Sequence, residues 1–114
     1  MTQISFVIFS EQPECAEAFA RLVEDSPHAT VAALASDAKQ LEDALGKQEI
    51  DAVFADLGHA PHLVIDLLES QLPKRLPLFV SGPDEDSQVV IRAFKIGARE
   101  YLSMSPIAPR AKKV

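Results

Sequence analysis

The sequence predicts a doubly wound α/β domain on a parallel sheet, and three observations predict it. Near-continuous apolar runs rich in Val, Ile and Phe, "ISFVIF" (4–9), "DAVFADL" (51–57) and "LPLFVS" (76–81), read as strands buried on both faces. Amphipathic segments of helical length separate them. The linkers between are short, so each strand returns beside its neighbours by a right-handed crossover.

Each element has its own justification, taken in chain order. Residues 4–9 form the first strand. A helix over 13–25 opens on Pro13 and Glu14, residues suited to a first turn, and carries Cys15, Phe19, Leu22 and Val23 at helical spacing for the buried side. "TVAALA" (30–35) is an Ala-rich second strand. Ser36 and Asp37 cap a helix over 37–47 with Ala38, Leu41 and Leu45 on one face. After the third strand, Pro61 starts a helix over 61–71 that groups Val64, Leu67 and Leu68. After the fourth, Asp86 or Ser87 starts a helix over 86–96, and Gly97 takes the left-handed residue that ends it. "EYLSM" (100–104) is a short fifth strand. "SPIAPRAKKV" (105–114) then carries two prolines and no apolar periodicity, so a final helix is expected to be short, absent or supplied elsewhere. The expected domain is residues 1–106, with 107–114 as a tail or linker.

The 114 residues are 47% hydrophobic, enough for one core without staples. A formal charge of −6 repels phosphate backbones and argues against direct nucleic-acid binding. The basic "RAKKV" (110–114) is too short a footprint to reverse that. The single cysteine, Cys15, excludes an internal disulfide and reads as a small core residue. No signal peptide or membrane-length apolar run is present, and a cytoplasmic protein is expected.

In an open parallel sheet the chemistry gathers at the carboxyl ends of the strands. These ends hold Ser10-Glu11, Asp56, Ser81-Gly82 and Met104-Ser105. A carboxylate at the end of a buried strand has a job or a partner. "HAPH" (59–62) places His59 and His62 three apart, but Pro61 breaks the local geometry and no third metal ligand is near in sequence. "GPDEDS" (82–87) reads as a solvated acidic loop leading into a helix.

Residues 4 to about 106 resemble the response-regulator receiver domain. "DAVFAD" is similar to that family's strand ending on its phosphoacceptor, "LPLFVSG" to its fourth strand with a terminal hydroxyl, and "GAREYL" (97–102) to its approach to strand five. The resemblance implies a flavodoxin-like three-layer sandwich with five strands in order 2-1-3-4-5. It places Asp56 on the phosphoacceptor, Ser81 on the phosphate-contacting hydroxyl and Tyr101 on the switch aromatic. It implies Mg²⁺ as cofactor, with Glu11 and Asp56 as its candidate ligands. This chain departs from the pattern twice: Ser10-Glu11 stands for the acidic pair, and Met104-Ser105, or Ser105-Pro106 in the alternative register, stands where a lysine and proline are expected.

Phosphoryl transfer to a carboxylate brings negative groups together, so it depends on positioning and charge neutralisation. Ser10 and Met104 supply neither anion nor cation. The absence of one charge-assisted hydrogen bond costs about 1.5–3 kcal/mol. The resemblance, with both departures, implies an atypical receiver, a non-enzymatic signalling and protein-interaction module not phosphorylated by the usual route. A partner protein or linked output domain is expected, and a homodimer through the fourth helix and fifth strand. Receiver-like domains with degraded sites occur at the N-terminus of pilus-assembly ATPases, and this chain suits a piece of one. The alternatives are a working Mg²⁺-dependent phosphoacceptor at Asp56 and a small flavin or nucleotide binder. Against the last, "SEQPE" after strand one has no glycine and is acidic.

Overall fold

The computed structural model describes residues 3–47, 49–83 and 85–103. Its elements alternate: β1 (Ile4–Phe9), α1 (Pro13–Glu24), β2 (Ala29–Ala35), α2 (Ala38–Lys47), β3 (Ala52–Asp56), α3 (Pro61–Gln71), β4 (Leu78–Gly82), α4 (Ser87–Lys95) and β5 (Ala98–Ser103). All strand pairs are parallel, and the sheet order is β2-β1-β3-β4-β5. The flavodoxin-like architecture is therefore the one expected. Met104, the short or absent final helix and the 107–114 tail lie outside the described residues.

Strand β1 shows why the runs are continuously apolar. Val7, Ile8 and Phe9 are all fully buried. Because successive side chains alternate faces, total burial of three in a row requires cover on both sides. Val7 and Phe9 join a core with Leu41 and Ala44 of α2, Val64, Ile65 and Leu68 of α3, and Val89 and Ala93 of α4. Ile8 packs the other way, with Ala16 and Phe19 of α1. Removing Phe9 to alanine would cost about 3–5 kcal/mol.

The helices begin where capping chemistry places them. Asp37 accepts the Gln40 N–H at 2.8 Å, satisfying one end donor of α2, while the Gln40 side-chain carbonyl accepts the Ser36 N–H at 2.8 Å just before the helix. Asp86, not Ser87, caps α4 and accepts the Gln88 N–H at 3.0 Å. Pro61 and Pro13 sit in the first turns of α3 and α1. Gly97 adopts φ 109° after α4.

Three expectations need correction, two about buried faces and one about where a strand starts. Leu22 is exposed, and Ala16 takes the buried position of α1 beside Phe19. Ala38 is exposed and Ala44 joins Leu41 on the core face of α2. Strand β5 starts at Ala98, earlier than "EYLSM" suggested, because Ala98 already pairs with Leu78. On α4, Val89 and Ala93 are buried while Ile91 and Phe94 stay about half exposed.

Candidate functional site

The carboxyl ends of β1, β3 and β4 lie side by side, and sheet register brings three polar residues into one row. Asp56 pairs with Ser81 across β3 and β4. Phe9 pairs with Ala55, so Ser10 follows beside Asp56. The Ser10 N–H still donates to the Ala35 carbonyl at 3.0 Å, which holds the strand end in place. Phe9, Ala55 and Val80 enter the three-helix core. Their successors Ser10, Asp56 and Ser81 therefore point to the other face, the side of α1.

All three are buried; Asp56 is 8% exposed, and Ser10 and Ser81 are fully enclosed. The Ser10 hydroxyl lies 2.9 Å from Asp56 Oδ2 and donates to it. The Gln12 carbonyl competes for that proton at 3.1 Å, but the shorter bond to the charged acceptor is the stronger. Ser10 Oγ in turn accepts the Gln12 N–H at 3.1 Å. Asp56 Oδ1 accepts from the Ser81 hydroxyl and the Gly58 N–H, each at 3.3 Å. Gly58 adopts φ 64° in the turn after β3, a conformation that favours glycine. Three neutral donors thus offset the desolvation of one carboxylate. Among the described residues no ion pair involves Asp56.

The remaining expected positions lie around this row. Glu11 is exposed to solvent. Tyr101 is half-buried, its hydroxyl donating to the Pro83 carbonyl at 2.5 Å and its ring centroid 6.4 Å from that of Phe94. His62 contacts Arg92 at 3.0 Å rather than sharing a site with His59, and Arg92 also pairs with Asp66 at 2.6 Å. Among the described residues no group of three or more His, Cys, Asp or Glu side chains could hold a metal ion. The donor set at Asp56 offers a single buried carboxylate, and its nearest donors are hydroxyls and an amide.

Two participants escaped the sequence reading. Gln12 ties the start of α1 to Ser10, and its side-chain oxygen accepts from the Cys15 thiol at 3.3 Å. Cys15 therefore stands near the site and is not simply a core residue. Burial pushes its thiol pKa up, and the nearby Asp56 and Glu14 charges push it further. The available signal was the Ser-x-Gln spacing before Pro13, which suits a hydroxyl-bonded turn at a helix start.

No protein-family profile and no curated protein match the chain. Solved structures do. A putative pilus assembly protein (CpaE) from Burkholderia thailandensis E264 is 25% identical, with TM-score 0.74 over 96% of this chain and 91% of that one. The isolated receiver domain of RcsB from Salmonella enterica serovar Typhimurium, in the presence of the phosphomimetic BeF₃⁻, is 14% identical, with TM-score 0.75 over 98% of this chain and 85% of that one. A chain in the complex of the CheA3 P1 domain with CheY6 from R. sphaeroides gives TM-score 0.70 at 15% identity, over 98% of this chain and 92% of that one. Against longer RcsB chains this chain spans little more than half their length, from 53% to 59%. The fold is that of a receiver-like domain.

Proposed function

We propose that this chain is an atypical receiver-like signalling module that acts through protein contacts, with Asp56 held as an internal ligand instead of serving as a phosphoacceptor. One observation carries the reading: both oxygens of Asp56 already accept from the protein's own groups, Ser10 on one side and Ser81 and Gly58 on the other. An incoming phosphoryl group would have to displace these donors, and among the described residues no second acid is buried beside Asp56 to help hold a divalent ion.

The contacts have a surface to use. Ile91 and Phe94 of α4 stay 47% and 49% exposed beside β5, which supports a partner protein, a linked output domain or a second copy docking there. The similarity to the pilus assembly protein supports a place in a pilus-assembly protein. We read residues 1–106 as its receiver-like unit, 107–114 as a linker and the cytoplasm as its location. No helix among the described residues is long and apolar enough to cross a membrane.

A second reading keeps Asp56 as a Mg²⁺-dependent phosphoacceptor, because it stands at the end of β3 with the Ser81 hydroxyl 3.3 Å away. Acetyl phosphate or BeF₃⁻ with Mg²⁺ decides between the two. The expected result is unchanged intact mass and unchanged amide resonances at residues 10, 56 and 81. An adduct absent in Asp56→Asn would establish the second reading.

A further inference from the structure

Neither the carboxylate row nor the α4 surface uses "HAPH" (59–62), yet its second histidine stands at the centre of a charged seam. Helices α3 and α4 pack against each other on one face of the sheet. Along α3, His62, Asp66 and Glu69 recur at helical spacing; along α4, Gln88, Arg92 and Lys95 do the same. Contacts between His62, Asp66 and Arg92 show that these two flanks face each other, and Glu69 and Lys95 line one small cavity further along. The loop before α4 adds Glu85 and Asp86. These are the charged and titratable groups of the seam among the described residues.

Arg92 is its hub. One guanidinium nitrogen donates to Asp66 Oδ1 at 2.6 Å, and the other lies 3.0 Å from His62 Nδ1. A guanidinium has donors and no acceptor, so Nδ1 offers a lone pair and the bond itself assigns the ring proton to Nε2. Nε2 lies 3.9 Å from Asp86 Oδ2. Asp86 caps α4 with its other oxygen, Oδ1, which accepts the Gln88 N–H at 3.0 Å. The imidazole thus has a cation at one nitrogen and the second oxygen of a capping carboxylate near the other. The His62 side chain is 48% exposed and that of Asp86 52%, so solvent protons reach both.

We propose that His62 is a pH-operated clasp between α3 and α4. In the neutral ring, Nδ1 holds Arg92 in the last turn of α4. Protonation takes that lone pair and sets two cations side by side, so Arg92 keeps Asp66 and the imidazolium turns to Asp86. The α4 end of the link passes from Arg92 to the N-cap. The cap survives, because Oδ1 stays on Gln88. Of the residue types on this seam, only an imidazole ordinarily changes charge between about pH 5 and 8. The clasp concerns how α3 holds α4, so it stands whether or not Asp56 takes a phosphoryl group and whatever docks on α4.

The test is an NMR titration of the full chain from about pH 8 to about pH 5.5. It reads the His62 ring nitrogens, the Arg92 guanidinium and the backbone amides of Gln88 and Arg92. The Nε2–H tautomer is expected at the start, and on acidification the α4 reporters move with the midpoint of the His62 ring. His62→Gln keeps an acceptor but takes up no proton, so the α4 shifts are lost. Asp86→Asn keeps a capping oxygen without the anion, so the Gln88 shift falls while the Arg92 shift stays. His59→Gln, in the turn before α3, changes neither. An Nδ1–H tautomer at the start overturns the proposal, as do α4 reporters that hold still or follow another midpoint. So does a response that survives His62→Gln, disappears in His59→Gln, or keeps its full Gln88 shift in Asp86→Asn.

Discussion

Tyr101 lies across Gly82 so closely that a Cβ at Gly82 would sit 2.7 Å from the tyrosine hydroxyl. The same hydroxyl donates to the carbonyl of Pro83, the next residue. Gly82 follows Ser81, and Ser81 is bonded to Asp56. The orientation of Tyr101 and the end of β4 are therefore one steric unit joined to the carboxylate row.

Gly82→Ala should break that unit. The new methyl also meets Leu57 Cδ1 at 3.0 Å, and Leu57 is fully buried, so the tyrosine is the part that yields. A stability loss of about 1–3 kcal/mol is expected from overpacking. Tyr101 is the only tyrosine in a chain without tryptophan, so its fluorescence reports the displacement directly. Acrylamide quenching should rise in Gly82→Ala. Unchanged quenching would mean that the loop, and not Tyr101, has moved.

Ser10→Ala should cost more than Ser81→Ala. Ser10 is the sole described donor to Asp56 Oδ2, at 2.9 Å, whereas Oδ1 keeps the Gly58 N–H when the Ser81 hydroxyl is removed. Ser10 also accepts from Gln12 at the start of α1. Stranding one oxygen of a buried carboxylate costs about 1–3 kcal/mol. Urea unfolding should show a lower midpoint for Ser10→Ala at unchanged slope. Equal midpoints for the two variants would refute the ranking.

Most of this architecture was legible because it rests on patterns that burial enforces. The runs 4–9, 51–57 and 76–81 need apolar residues on both faces, so they announce buried strands. Asp56 stood out because a carboxylate there must be satisfied. Leu22 misled for a physical reason: its spacing matches a buried face, but Ala16 and Phe19 take the buried positions of α1 and leave Leu22 66% exposed. The Ser10–Asp56 bond was beyond sequence reasoning, since it depends on the register that sets β1 beside β3. The role of Gln12 depends on turn geometry, which periodicity does not carry.

Ser10→Asp should create a divalent-ion site. The Ser10 hydroxyl already lies within 2.9 Å of Asp56, so a carboxylate there faces Asp56 with Glu11 next along the chain. Without ion, two buried like charges destabilise the fold and raise one carboxyl pKa. With ion, the pair becomes a hard-oxygen ligand set. Thermal unfolding of Ser10→Asp should therefore fall without metal and recover with Mg²⁺. Mn²⁺ should broaden amide resonances near residues 10 and 56 in the variant and leave the natural chain sharp. Equal broadening in both would show that Ser10 does not control ion access.

Cys15 should report the charge of Asp56 through its thiol. Burial is the main cause that raises its pKa, followed by the charges of Asp56 and Glu14. The folded chain then holds the thiol proton at a pH where the unfolded chain has released it. That contribution to stability is complete below the ordinary thiol pKa and is lost as pH rises through the raised folded value. Iodoacetamide labelling against pH should have its midpoint above that of the urea-unfolded chain, because the thiolate is the reactive form. Asp56→Asn removes a charge without removing the burial, so it should lower the midpoint only part of the way to the unfolded value. A midpoint that does not move would show that the Asp56 charge does not reach the thiol. A midpoint that falls the whole way would show that charge, and not burial, dominates.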